Sequence, residues 1–149
     1  MICRPGSALN ILVVEDEWLI REMTCLYLRE VGWEVIEAET GEQAVDVLRG
    51  GQPIDVVFTD IRLKGRLTGW DVGDAARDYR QDIPVIYTSA TAPLPSRQVA
   101  GSRFLSKPYN PSTVHRTCQT LASDTRRCLE DGLPRSPVGR HGLHSKPDF

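Results

Sequence analysis

The sequence predicts a doubly wound α/β domain, a parallel sheet covered by helices on both faces. Short β-rich apolar runs alternate with helix-like segments from Leu9 to about Arg127. The strongest runs, Leu9–Val14, Ile54–Asp60 and Ile83–Ala90, are apolar almost throughout, as strands buried on both faces are. The first runs straight into Glu15-Asp16-Glu17 and the second ends in Asp60, so acids collect where strands stop.

The elements follow in order. After Leu9–Val14, a helix spans about Trp18 to Glu30, with Leu19, Met23, Leu26 and Leu28 as its apolar positions and Gly32 as its stop. Glu34–Ala38 alternates in polarity, which suits a strand nearer an edge. Thr40-Gly41-Glu42 opens a second helix that closes at Gly50-Gly51, with Ala44, Val45 and Leu48 inward. After the Ile54–Asp60 strand, Asp71–Tyr79 reads as a helix behind Gly69. Following Ile83–Ala90, the stretch TAPLPSRQVAGS is broken by Pro and Gly, and at best a short helix fits around Ser96 to Val99. Arg103–Ser106 is a brief strand, and from Pro111 a last helix carries Val114, Cys118 and Leu121 to about Arg127. This is the flavodoxin-like (βα)5 pattern with a central five-stranded parallel sheet and a shortened fourth helix. The domain spans residues 9–128. Residues 129–149 lack apolar periodicity and read as a flexible C-terminal tail.

Composition narrows the function. At 149 residues one domain with a real core is expected. A net charge of -2 provides no global basic field for nucleic acid or anionic lipid. Cys3, Cys25, Cys118 and Cys128 are scattered without metal-ligand spacing and read as free thiols of a reducing compartment. With no signal-peptide core and no run of membrane-spanning length, a cytoplasmic protein is expected. His115, His141 and His144 lie far along the chain from the acids and receive no catalytic role. Trp18 and Trp70, each following an acid-bearing loop, read as covers for the core edge.

In a doubly wound fold, ligands sit at the carboxyl ends of the strands. There the topology gathers Glu15, Asp16 and Asp60. Anions so close repel one another unless a cation lies between them. Oxygen ligands without His or Cys suit Mg²⁺. The blander reading makes such acids helix caps, and Glu17 fits it. Convergence from separate strands weakens that reading for the other acids. The fourth strand brings Thr88-Ser89 to the same rim, and the fifth is followed by Lys107-Pro108-Tyr109. Metal, carboxylate, hydroxyl and ammonium together make a phosphoryl-transfer constellation with the carboxylate as nucleophile.

From about Asn10 to Ser123 the sequence resembles the receiver domain of two-component response regulators. The resemblance implies that Asp60 is the phospho-acceptor and that Glu15 and Asp16 hold Mg²⁺ with Asp60 and the backbone carbonyl of Arg62. It makes Lys107 the family's lysine and Phe104 the aromatic switch. Ser89, five positions after Pro84 and followed by Ala90, matches the switch hydroxyl, with Thr88 as the alternative. Two departures stand out. Lys64 replaces the proline usual after the acceptor, in a loop one residue longer, and the segment between Ser89 and Lys107 is short.

The implied protein is a stand-alone receiver that takes a phosphoryl group from a sensor histidine kinase or a histidine phosphotransfer protein. It would then change its affinity for a downstream protein not identified by the sequence, with no nucleic-acid or membrane partner. Beyond self-catalysed transfer and autodephosphorylation, no enzyme activity is expected. The alternatives are a phosphate sink, a constitutive binding module with the same fold, and, more remotely, a Mg²⁺-dependent phosphatase with an aspartyl-phosphate intermediate. Such phosphatases need a second Asp two positions after the nucleophile, where this chain has Arg62.

Overall fold

The computed structural model describes residues 8–91 and 97–131, with side chains of the last helix as far as residue 124. Its elements are β1 (Asn10–Val14), α1 (Trp18–Glu30), β2 (Glu34–Ala38), α2 (Gly41–Arg49), β3 (Val56–Asp60), α3 (Gly69–Tyr79), β4 (Val85–Ser89), β5 (Arg103–Ser106) and α4 (Pro111–Asp131). The strands form one parallel sheet in the order β2-β1-β3-β4-β5. β2 is an edge strand, as its alternation predicts.

Successive residues of a strand point to opposite faces, so each central strand feeds two cores. On one face Ile11, Val13, Phe58 and Ile86 meet Cys25 and Leu28 of α1 and Val114 and Cys118 of α4. On the other, Leu12, Val14, Val57, Val85 and Tyr87 meet Ala44 and Leu48 of α2 and Val72 and Ala76 of α3. The chain leaves β1 for β2 on one side and returns to β3 on the other. The carboxyl ends of β1 and β3 therefore flank the point where strand order reverses, which opens a crevice there.

Helix starts are locally determined. The Thr40 hydroxyl accepts the Gln43 N–H, and Gln43 returns a bond to the Glu39 N–H. Thr68 and Asp71 form a reciprocal capping box at α3. Gly69 follows at once, and any Cβ there would overlap the carbonyl oxygen of Asp60, so α3 can begin directly beneath the end of β3. Glu17 occupies the N-cap position of α1, yet its side chain makes no cap bond.

The face of α1 differs from the expectation. Arg21, Thr24, Cys25 and Leu28 are buried, whereas Trp18, Leu19, Met23 and Leu26 are 52–63% exposed. Leu28 alone of the anticipated apolar positions enters the core, and Trp18 stands mostly exposed rather than closing the core edge. The reason is tertiary. Arg21 finds Glu37, and Thr24 shares a 3.0 Å hydrogen bond with the Tyr109 hydroxyl, so the polar side of the helix can face inward satisfied. Trp70 does close the core edge, its ring centroid 4.8 Å from that of Tyr87. Cys25 and Cys118 are buried free thiols, and His115 packs edge-on against Trp33.

Several boundaries also move: α3 begins at Gly69 rather than Asp71, β3 at Val56 rather than Ile54, and β4 spans only Val85–Ser89. Between β4 and β5 no α-helix occurs among the described residues, so the described chain has four helices rather than five. The last helix runs on to Asp131, so residues 129–131 belong to it rather than to a tail. The remainder of the expected tail, with His141 and His144, lies outside the described residues.

Candidate phosphoryl-transfer site

The crevice is an open cavity of about 550 Å³. One wall is acidic, with Glu15 and Asp16 leaving β1, Glu17 beginning α1, and Asp60 ending β3. Basic residues also line the cavity, Arg62 and Lys64 from the β3–α3 loop and Lys107, which follows β5. Ser89, Ala90 and Thr91 close the rim.

Lys107 is the centre of the charge pattern. Its Nζ lies 3.0 Å from Glu15 Oε1 and 3.0 Å from Asp60 Oδ2. Its backbone N–H donates to the Ser89 carbonyl at 3.0 Å, which ties the ammonium to the end of β4. The peptide between Lys107 and Pro108 is cis. Burial works against the ammonium, but the hydrogen bonds it donates to Glu15 and Asp60 outweigh it and hold the Lys107 pKa above the usual lysine range.

Glu15 is 1% exposed and Asp60 is 5% exposed. Burial, reinforced by the charge on Asp60, pushes the Glu15 carboxyl up to about 7, against the opposing pull of Lys107 and the Glu17 N–H. A single ammonium thus does not compensate the acids fully. Oxygens of Glu15, Asp16 and Asp60 lie within 4.8 Å of one another. An all-oxygen set with an uncompensated carboxyl fits a hard divalent cation such as Mg²⁺.

The hydroxyls separate cleanly. Ser89 borders the cavity, and its Oγ accepts the Thr91 N–H at 3.2 Å. Thr88 pairs in register with Asp60 but faces the α1/α4 side, fully buried, and its hydroxyl has no hydrogen-bond partner among the described residues. Phe104 lies outside the cavity lining, partly buried against the α2/α3 core and in register with Tyr87.

Two features escaped sequence reasoning. Glu42, in the first turn of α2, accepts the N–H of Arg66 at 3.0 Å and of Leu67 at 3.3 Å. Those backbone bonds hold its carboxyl below the usual range and pin the long loop that carries Arg62 and Lys64. Arg21, buried behind the acids, is the second. No local signal marked it, since Arg21 stands between Ile20 and Glu22 and its carboxylate partner Glu37 is distant in sequence.

An acid trio, a lysine bridging two of its members and a hydroxyl rim thus stand together at the switch point of a parallel (βα) sheet. The family model of the response regulator receiver domain matches residues 11–119, and the chain belongs to that family of two-component signalling domains.

Among curated relatives, TcrX of Mycobacterium tuberculosis, a probable transcriptional regulatory protein, is 30% identical over 138 residues, covering 90% of this chain and 58% of TcrX. PhoB of Escherichia coli, the phosphate regulon transcriptional regulatory protein, is 33% identical over 112 residues, covering 72% of this chain and 48% of PhoB. The chain thus spans about half the length of the curated relatives it matches. A response regulator receiver protein from Sinorhizobium medicae superposes with a TM-score of 0.76 at 30% identity, over 80% of this chain and 98% of that one. The receiver domain of the sensor histidine kinase PA1611 from Pseudomonas aeruginosa, with magnesium coordinated in its active-site cleft, superposes at 0.68 with 27% identity, over 78% of this chain and 99% of that one. Among the described residues no helix is long and apolar enough to cross a membrane.

Proposed function

We propose that Asp60 accepts a phosphoryl group from a phosphohistidine of a sensor histidine kinase or histidine phosphotransfer protein, and that the modified domain changes its affinity for a downstream protein. The observation that carries this reading is Asp60 Oδ2 held 3.0 Å from Lys107 in a cavity open to solvent. An Asp60 carboxylate oxygen attacks the phosphorus, an O–P bond forms, the P–N bond to the donor imidazole breaks, and the nitrogen keeps the electron pair. Lys107 neutralises charge on the phosphoryl oxygens. Mg²⁺, held by Glu15, Asp16, Asp60 and the Arg62 carbonyl, would supply further charge neutralisation and alignment when bound.

The Ser89 hydroxyl then leaves Thr91 and donates to a phosphoryl oxygen, with Thr88 as the alternative. The space released next to Phe104 lets that ring turn inward, shifting a two-state equilibrium on the face formed by β4, β5 and α4. Hydrolysis of the aspartyl phosphate returns the domain to its resting state. A phosphate sink would use the same acids and differ only in having no phosphorylation-sensitive partner.

The test is Mg²⁺-dependent labelling by acetyl phosphate, read by intact mass on the parent protein and on Asp60→Ala. One phosphate on the parent and none on the variant is expected. Equal labelling of both would refute the acceptor.

A further inference from the structure

Arg21 is 8% exposed, the one charged side chain on the buried face of α1. Desolvating a guanidinium is costly unless its donors are all engaged. Here they are spread across separate partners. Nη1 donates to the Glu15 carbonyl at 2.8 Å, Nε donates to Glu37 Oε1 at 3.0 Å, and Nη2 lies 3.7 Å from Glu39 Oε2. Glu37 is held in turn by Arg29 through its other oxygen, at 3.0 Å.

The bond to Glu15 falls on the peptide that joins Glu15 to Asp16. On the preceding peptide, the Glu15 N–H donates to the Ala38 carbonyl at 3.1 Å. The Glu15 side chain is tied to the Glu17 N–H at 3.1 Å. Together these bonds determine how the chain turns as it leaves β1, and therefore where each carboxylate of the pair is aimed.

We infer that Arg21 is a positioning residue for the acidic pair, holding the Glu15–Asp16 peptide in the orientation that presents both carboxylates to a divalent cation. The inference rests on the receiver function proposed above. Its planar fork allows one side chain to bond a carbonyl and a carboxylate together, which a lysine ammonium cannot do in the same geometry.

Electrostatics alone predicts the opposite sign. Arg21 is a cation behind a cation site, so removing it would tighten metal binding if charge were its only contribution. Positioning predicts weakening, and partners that orient metal ligands typically contribute about 10–100-fold in affinity.

The experiment is isothermal titration of Mg²⁺ into the full chain at constant pH, with thermal melts alongside. Arg21→Gln is expected to raise the Mg²⁺ Kd by about tenfold or more, and Arg21→Lys by less. Glu37→Gln, which leaves an amide oxygen for Nε and spares the carbonyl bond, is expected to stay close to the parent. An Arg21→Gln protein that binds Mg²⁺ as well as the parent, or better, overturns the inference. Equal weakening in Glu37→Gln does so too, since it would assign the effect to the α1–β2 ion pair. Should Arg21→Gln not fold, parent-like affinity in Arg21→Lys serves as the refuting result. A parent that binds no Mg²⁺ removes the receiver reading and this inference with it, whereas a parent that binds Mg²⁺ and is labelled on Asp60 isolates the Arg21 question.

Discussion

The Tyr87 hydroxyl lies against Gly73, so close that a Cβ on Gly73 would occupy the same space. Tyr87 rises from β4 into the α2/α3 core, packs at a tilt against Trp70, and accepts the Val99 N–H at 3.2 Å. Arg97 sits over the outer face of Trp70, 5.9 Å from the ring centroid. One phenol thus fastens the β4–β5 connection to α3. Gly73→Ala is expected to cost about 1–3 kcal/mol through overpacking. Tyr87→Phe should cost about 1 kcal/mol for the lost hydrogen bond and speed exchange of the Val99 amide. Because Tyr87→Phe also removes the clashing oxygen, chemical melts of the double variant should show less than additive loss. Strict additivity would mean that the two residues do not meet as described.

Glu15 makes metal-free stability fall as pH rises. Its folded pKa, about 7, lies above the ordinary value of 4.5, so the folded state holds this proton more tightly than the unfolded chain. The resulting stability is complete below about 4.5, declines across the interval to about 7, and is absent above it. Melting temperatures of parent minus Glu15→Gln across that interval isolate the effect, and a difference that does not change with pH would contradict it. Since a bound cation must displace the same proton, Mg²⁺ affinity should increase with pH up to about 7. Titrations in buffers of different ionisation enthalpy would read the released proton directly.

Arg62 lies two positions after the acceptor and borders the cavity. On the function proposed above, a long basic side chain there would screen an aspartyl phosphate from water. Arg62→Ala should shorten the phosphoprotein's half-life severalfold. An unchanged dephosphorylation rate, measured by loss of the labelled mass after removal of the donor, assigns that side chain no such role.

The exposed stripe of Trp18, Leu19, Met23 and Leu26 starts beside the acidic wall of the cavity. On the function proposed above, a donor protein delivering phosphohistidine to Asp60 would meet this apolar surface. Met23→Glu is expected to slow transfer from a cognate kinase by about tenfold, equivalent to about 1.4 kcal/mol, with acetyl phosphate labelling at the parent's rate. Equal slowing with both donors would place the defect in the site rather than in docking.

Much of this protein was legible in the sequence because the signals were local. α1, β2 and β5 begin and end where periodicity and polarity indicate, and the acids that end β1 and β3 meet at one rim because parallel topology places strand ends together. Neighbouring hydroxyls on one strand must also diverge, since alternate residues face opposite sides. Only the tertiary structure decides which side is the cavity, and it gives that side to Ser89. The face of α1 was illegible for the same kind of reason. Its apolar stripe competed with a polar one, and the polar one turned inward because Glu37, the Glu15 carbonyl and Tyr109 lie where Arg21 and Thr24 need them. The tie from Tyr87 to Val99 and the clamp of Glu42 on its loop likewise join residues far apart in the chain. By itself the sequence determined the order of elements and the chemistry of the rim, because propensity, patterning and side-chain type are properties of short segments. The tertiary structure alone decided which polar groups are satisfied in the interior, because a buried charge is tolerated only where folding brings its partners to it.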